Sequence, residues 1–148
     1  MRVLPMMPRR IAGKLRPRCK QPMNAVGLLA VGVGAVVGAW LRWALSLGLN
    51  TMLPNLPLGT LTCNLVGGFI IGIAVELFTL HPVMAPEIRL FVITGFLGSL
   101  TTFSAFSAEA VGLLQREQYG WAFAMIGTHL LGSLAMTVLG IALVRAVQ

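Results

Sequence analysis

The chain has 148 residues, 57% of them hydrophobic and 10% charged, with a mean hydropathy of +0.86. That composition excludes an ordinary soluble domain and predicts an integral membrane protein, a single small helical unit too slight to enclose an aqueous path alone, so a homo-oligomer working at its interface is expected. The net charge of +7 does not point to nucleic acid: seven of the eleven basic residues precede Met23, and beyond it Arg42, Arg89, Arg116 and Arg145 balance Glu76, Glu87, Glu109 and Glu117.

Residues 1–22 carry Pro5, Pro8, Pro17 and Pro22, a run of basic residues and no apolar periodicity, which predicts a disordered extension ahead of a membrane domain over 23–148. The next apolar run is long enough to stay as a helix, so no cleaved signal sequence is expected. Cys19 and Cys63 lack the spacing of a zinc or redox motif, and Cys63 reads as a small packing residue.

The first predicted helix, about 24–47, is roughly 36 Å long at 1.5 Å per residue, enough to span a bilayer. Ala30, Gly34, Gly38 and Arg42 recur every four residues. This stripe reads either as a packing seam with a snorkelling arginine or as an anchor pointing Arg42 into the protein.

The second helix, about 58–80, contains GTLTCNLVGGFIIG, where Thr60, Asn64, Gly68 and Gly72 again share one face. Asn64, near the middle of the membrane, must be satisfied, by an interhelical hydrogen bond or by a ligand. Glu76 and Glu87 read as edge carboxylates.

The third helix, about 87–114, holds TGFLGSLTTFSAFSAE and is expected to be broken at its centre. Gly95, Gly98 and Ser99 weaken a helix, and Thr101, Thr102 and Ser104 offer oxygens to cap a second half. Freed backbone groups at membrane depth need protein, ion or water, so the break predicts a permeation or ion site. Phe103 and Phe106 share a helical face beside Thr101, Ser104 and Ser107; such a pair is commonly core, but here it adjoins a polar seam.

The fourth helix, about 119–144, opens near Trp121 at the interface and carries His129, Ser133 and Thr137 in a four-residue stripe. No carboxylate at matching depth joins His129 in a proton relay.

With GAWLRW in the first helix, GTLTCNLVGGFIIG in the second and GFLGSLTTFSAFSAE in the third, the chain resembles the CrcB/Fluc family of small bacterial fluoride channels. The resemblance implies an antiparallel, dual-topology homodimer in the bacterial inner membrane with two fluoride paths and a structural sodium ion at its centre. It implies further that Asn64, Phe103, Phe106 and Ser104 line the fluoride path, that Gly98 and Thr101 give backbone carbonyls to sodium, and that Arg42 is the first-helix arginine. Ser133 is expected on the same path. Ser99 departs from the second glycine common in the family.

These residue types suit the chemistry: an amide donor replaces the water fluoride holds tightly, and aromatic ring edges face an anion without trapping it. Arg42 and Glu109 fall on the same membrane edge and are expected to pair. From Met23 onward, two basic residues face each side, which predicts insertion in both orientations. The seven tail charges would make it nine against two and fix the N-terminus inside, so the expectation is either that translation begins at Met23 or that the tail does not override the balance. The competing reading is a small proton-coupled multidrug exporter, which needs an early intramembrane carboxylate, and none lies in the first helix. An enzyme would need a gathered nucleophile, base or metal cluster, and the two His and two Cys are scattered.

Overall fold

The computed structural model describes residues 24–53 and 55–148, and among these residues the fold is all helix. The expected disordered extension over 1–22, with Cys19, lies outside the described residues. Four helical stretches are long and apolar enough to cross a membrane: Ala25–Leu49, Leu58–Leu80, Pro86–Gln115 and Tyr119–Ala146.

Helix α1 (Ala25–Leu49) starts where Asn24 adopts extended backbone and its side chain accepts the N–H of Gly27 at 2.7 Å. In the following loop, Asn50 Oδ1 accepts the N–H of Gly59 at 2.8 Å and so caps the first turn of α2 (Leu58–Leu80). The far end of α2 is capped by Arg89, whose Nη2 donates to the carbonyl of Phe78 at 3.2 Å while its guanidinium lies 5.1 Å from the centre of the Phe78 ring.

The third span is composite. A short α3 (Pro86–Arg89) opens with proline at its start, a π-helix covers Leu90–Leu97, α4 (Gly98–Leu100) follows, and α5 (Phe103–Gln115) resumes after a break. At the break Thr101 (φ −82°, ψ 154°) and Thr102 (φ −151°, ψ 116°) are extended. Gly95, Gly98 and Ser99, expected to weaken the helix, remain helical, and the chain departs at the two threonines instead. Gly95 serves another purpose. A Cβ there would lie 2.6 Å from the carbonyl oxygen of Val31, and one on Gly34 would lie 2.6 Å from that of Phe91, so these glycines let α1 lie directly against the π-helix.

α5 ends in a Schellman turn, with Gln118 N–H on Leu113 O at 3.0 Å, Glu117 N–H on Leu114 O at 3.0 Å, and Glu117 at φ 59°. Then α6 (Tyr119–Ala146) runs alongside α2 in the same direction. The two meet face to face: a Cβ on Gly72 would come within 3.2 Å of Gly140 Cα, and one on Gly68 within 2.9 Å of Ser133 O. The polar stripes of α2 and α6 therefore run in register, Asn64 beside His129, Gly68 beside Ser133 and Gly72 beside Thr137. At one end Arg145 forks onto Glu76, Nε to Oε1 at 2.8 Å and Nη2 to Oε2 at 3.2 Å, tying the two helices together.

The buried interior is thin. Cys63, Leu97 and Leu100 form one cluster, and Ala110, Leu113, Ala122 and Met125 a second beyond the break. Leu29, Trp40, Trp43, Leu131 and Val138 are among many large apolar side chains left exposed, as helices in lipid leave them.

A polar clamp and a cavity at the helix break

Asn64 and Thr102 hold the break together. The N–H of Thr102 donates to Asn64 Oδ1 at 2.8 Å, and Asn64 Nδ2 donates back to the Thr102 carbonyl at 3.1 Å. The side-chain amide thus substitutes for the backbone partners that Thr102 loses on leaving the helix, at a depth where no lipid group could supply them.

Thr102 in turn caps the second half-helix, its Oγ1 accepting the N–H of Ala105 at 3.2 Å. In a continuous α-helix the N–H groups of Thr102 and Ala105 would close on the carbonyls of Gly98 and Thr101. Here both are given to side-chain oxygens, so the break releases those two carbonyls. Oxygen donors of this kind suit a hard cation, and the fit rests on the backbone, not on side chains.

The same amide reaches a third group, with Asn64 Nδ2 3.1 Å from His129 Nδ1. Both hydrogens of Nδ2 are therefore committed, one to Thr102 O and one to the imidazole. The His129 ring, 4% exposed, lies nearly parallel to that of Phe106, with centroids 4.7 Å apart and planes at 24°. Phe106 meets Phe103 edge to face at 5.5 Å and 60°. Phe103 is 80% exposed on the single chain.

A cavity of about 440 Å³ opens beside this arrangement, and Asn64, Gly98, Thr101, Phe103, Phe106 and Ser133 all contribute to its wall. Ser104 stands at a second cavity, of about 610 Å³, on the other side of the break, shared with Arg42, Thr60, Thr102 and Glu109. Thr102 and Ser104 hydroxyls lie 3.2 Å apart there.

The pairing expected between Arg42 and Glu109 is not formed. Glu109 Oε1 accepts the hydroxyl of Thr60 at 2.9 Å, and the ion pair among the described residues is Glu76 with Arg145. The reason is positional: α2 brings Thr60 directly against α5, while Arg42 reaches the same cavity from α1. The other oxygen of Glu109, Oε2, is buried without a partner. Thr60 is the contact that reading the sequence passed over, although its place one turn before Asn64 on the polar stripe is a signal for it.

Residues 29–141 match the family model described as CrcB-like protein, Camphor Resistance (CrcB). A protein of Nitrosospira multiformis named fluoride-specific ion channel FluC is 57% identical over 123 residues, covering 83% of this chain and 96% of its own. Proteins of the same name from Pseudomonas putida and Cupriavidus metallidurans are 55% and 53% identical, covering 78% and 84% of this chain and 91% and 98% of theirs.

Proposed function

The chain belongs to the CrcB-like family, and from that membership we infer that the ion it passes is fluoride. It is a fluoride-specific channel and not an enzyme, a multi-pass protein of the bacterial membrane. In the inner membrane such a channel lets fluoride leave the cytoplasm down its electrochemical gradient and so limits its toxicity. The multidrug-exporter reading is set aside, since relatives identical at more than half of the aligned positions carry the fluoride-channel name.

The observation that carries the mechanism is the gathering of Asn64, Phe103, Phe106 and Ser133 around one cavity at a broken helix. We place the ion's path along these residues, with Ser104 at the opposite mouth. Fluoride surrenders tightly bound water only for good donors, which the serine hydroxyls and the Asn64 amide provide. Since both Asn64 hydrogens are engaged in the structure, donation to the ion exchanges one of these bonds for a bond to fluoride. Phenylalanine ring edges carry positive partial charge and steady the anion without holding it. No lysine occurs beyond residue 20, so no mobile ammonium is available to trap it.

Two copies in antiparallel orientation complete the channel in this reading. Its support is that the released carbonyls of Gly98 and Thr101 cannot be left facing hydrocarbon, and that the exposed Phe103 lies beside them on the cavity wall. Those carbonyls from both copies would hold a sodium ion, which would supply the positive charge that lets carbonyl dipoles converge at the centre of the dimer.

Growth tests this function in the cell. A bacterium stripped of its own fluoride export and expressing this chain should grow in fluoride that arrests the parent strain; equal arrest in both would contradict the reading.

A further inference from the structure

His129 has no role in the mechanism so far, yet it borders the same cavity and touches Asn64 and Phe106. Backbone N–H groups only donate, so the Asn64 atom facing Thr102 N must be the oxygen, and the amide orientation follows without ambiguity. Nδ2 therefore faces the Thr102 carbonyl and His129 Nδ1. Because Nδ2 has only hydrogens to offer, Nδ1 must be the unprotonated nitrogen, and the ring carries its proton on Nε2. Nε2 is buried without a partner on this chain, so Nδ1 is the nitrogen through which the ring is held. The face of the same ring lies against Phe106.

We propose that His129 is a positioning residue of the ion path: as a neutral imidazole protonated on Nε2, it takes the second hydrogen of the Asn64 amide and fixes the plane of the Phe106 ring. Thr102, Asn64, His129 and Phe106 then form one connected unit running from the broken backbone on the third span, through α2 and α6, to an aromatic wall of the cavity. The ring itself borders the same cavity, and what it holds in place there is the Asn64 amide and the Phe106 ring. The proposal rests on the fluoride-channel reading, since it assigns a residue that orients that site.

Two variants separate the bond from the packing. His129→Phe keeps a flat ring against Phe106 and removes the acceptor, and fluoride efflux from liposomes should fall about tenfold, as losing a hydrogen bond to a placed group does. His129→Asn returns an acceptor near the Nδ1 position and should recover a clear part of that loss, which a purely space-filling role would not allow. Nitrogen NMR of the unaltered, histidine-labelled channel in bilayers, with His81 assigned by substitution, should show the His129 proton on Nε2. Unchanged efflux in His129→Phe, no recovery in His129→Asn, or a proton on Nδ1 would each overturn the proposal. If His129→Phe does not fold, the NMR result decides. An unaltered chain that passes no fluoride would instead overturn the channel reading, while the nitrogen spectrum still reports which nitrogen of His129 carries the proton.

Discussion

Asn64 and Thr102, 38 residues apart in sequence, exchange two hydrogen bonds across the bilayer interior, the amide of one closing on both backbone groups of the other. The helix break is thus built by a side chain of the neighbouring helix as much as by the broken segment.

Asn64→Asp should therefore impair folding as well as flux. The carboxylate still accepts from Thr102 N–H but donates nothing, leaving the Thr102 carbonyl and His129 Nδ1 without their hydrogens. Two unmade buried bonds cost about 2 kcal/mol or more, and an unpaired charge adds to that. Fluoride efflux should be abolished and the thermal midpoint in detergent should drop. A variant as stable as the parent would show that the clamp contributes little.

Phe103→Ile and Phe106→Ile should part company in stability while agreeing in flux. Both lose the ring edge beside the cavity, so both should slow efflux. Phe106 stacks on His129, whereas Phe103 is 80% exposed on the single chain, so only the first should lower the stability of the isolated subunit by about 1 kcal/mol or more. Two isoleucine variants conducting at the normal rate would make these rings ordinary packing.

The helices themselves were largely legible, because a span is set by the length of an apolar run, and the observed bounds of the first, second and fourth lie within two residues of those expected. Composition also placed a break between Gly95 and Ser104 and a threonine cap on its second half, which Thr102 provides, but gave the weakening to Gly95, Gly98 and Ser99, which stay helical. Gly95 and Gly98 look like helix breakers in isolation; in the fold Gly95 lies within the π-helix and is a contact surface for α1. The four-residue polar stripes on α2 and α6 were each visible, whereas their registration was not, since nothing local links Asn64 to a histidine 65 residues away. Charge alone suggested Arg42 for Glu109, and geometry supplies Thr60.

A double-mutant cycle distinguishes those two partners. Thr60→Val with Glu109→Gln should show a coupling of about 1 kcal/mol in detergent stability, whereas Arg42→Gln with Glu109→Gln should be close to additive. The reverse pattern would mean that Arg42 is the true partner in the membrane.

At the released carbonyls, cation identity should matter more than side-chain chemistry. Thr101→Ser leaves the backbone oxygen and the hydroxyl bond to Leu97 O in place, so it should be mild. Exchanging sodium for a large organic cation should weaken subunit association, read by cross-linking in detergent. Indifference to the cation would leave a packed kink without an ion.

The most direct test is transport by the purified full chain. Liposomes loaded with equal fluoride and chloride, with the membrane potential clamped by a potassium carrier, are followed by electrodes selective for each anion. Rapid fluoride release that depends on protein is expected, with chloride retained. Release of both anions alike, or of neither, would contradict it.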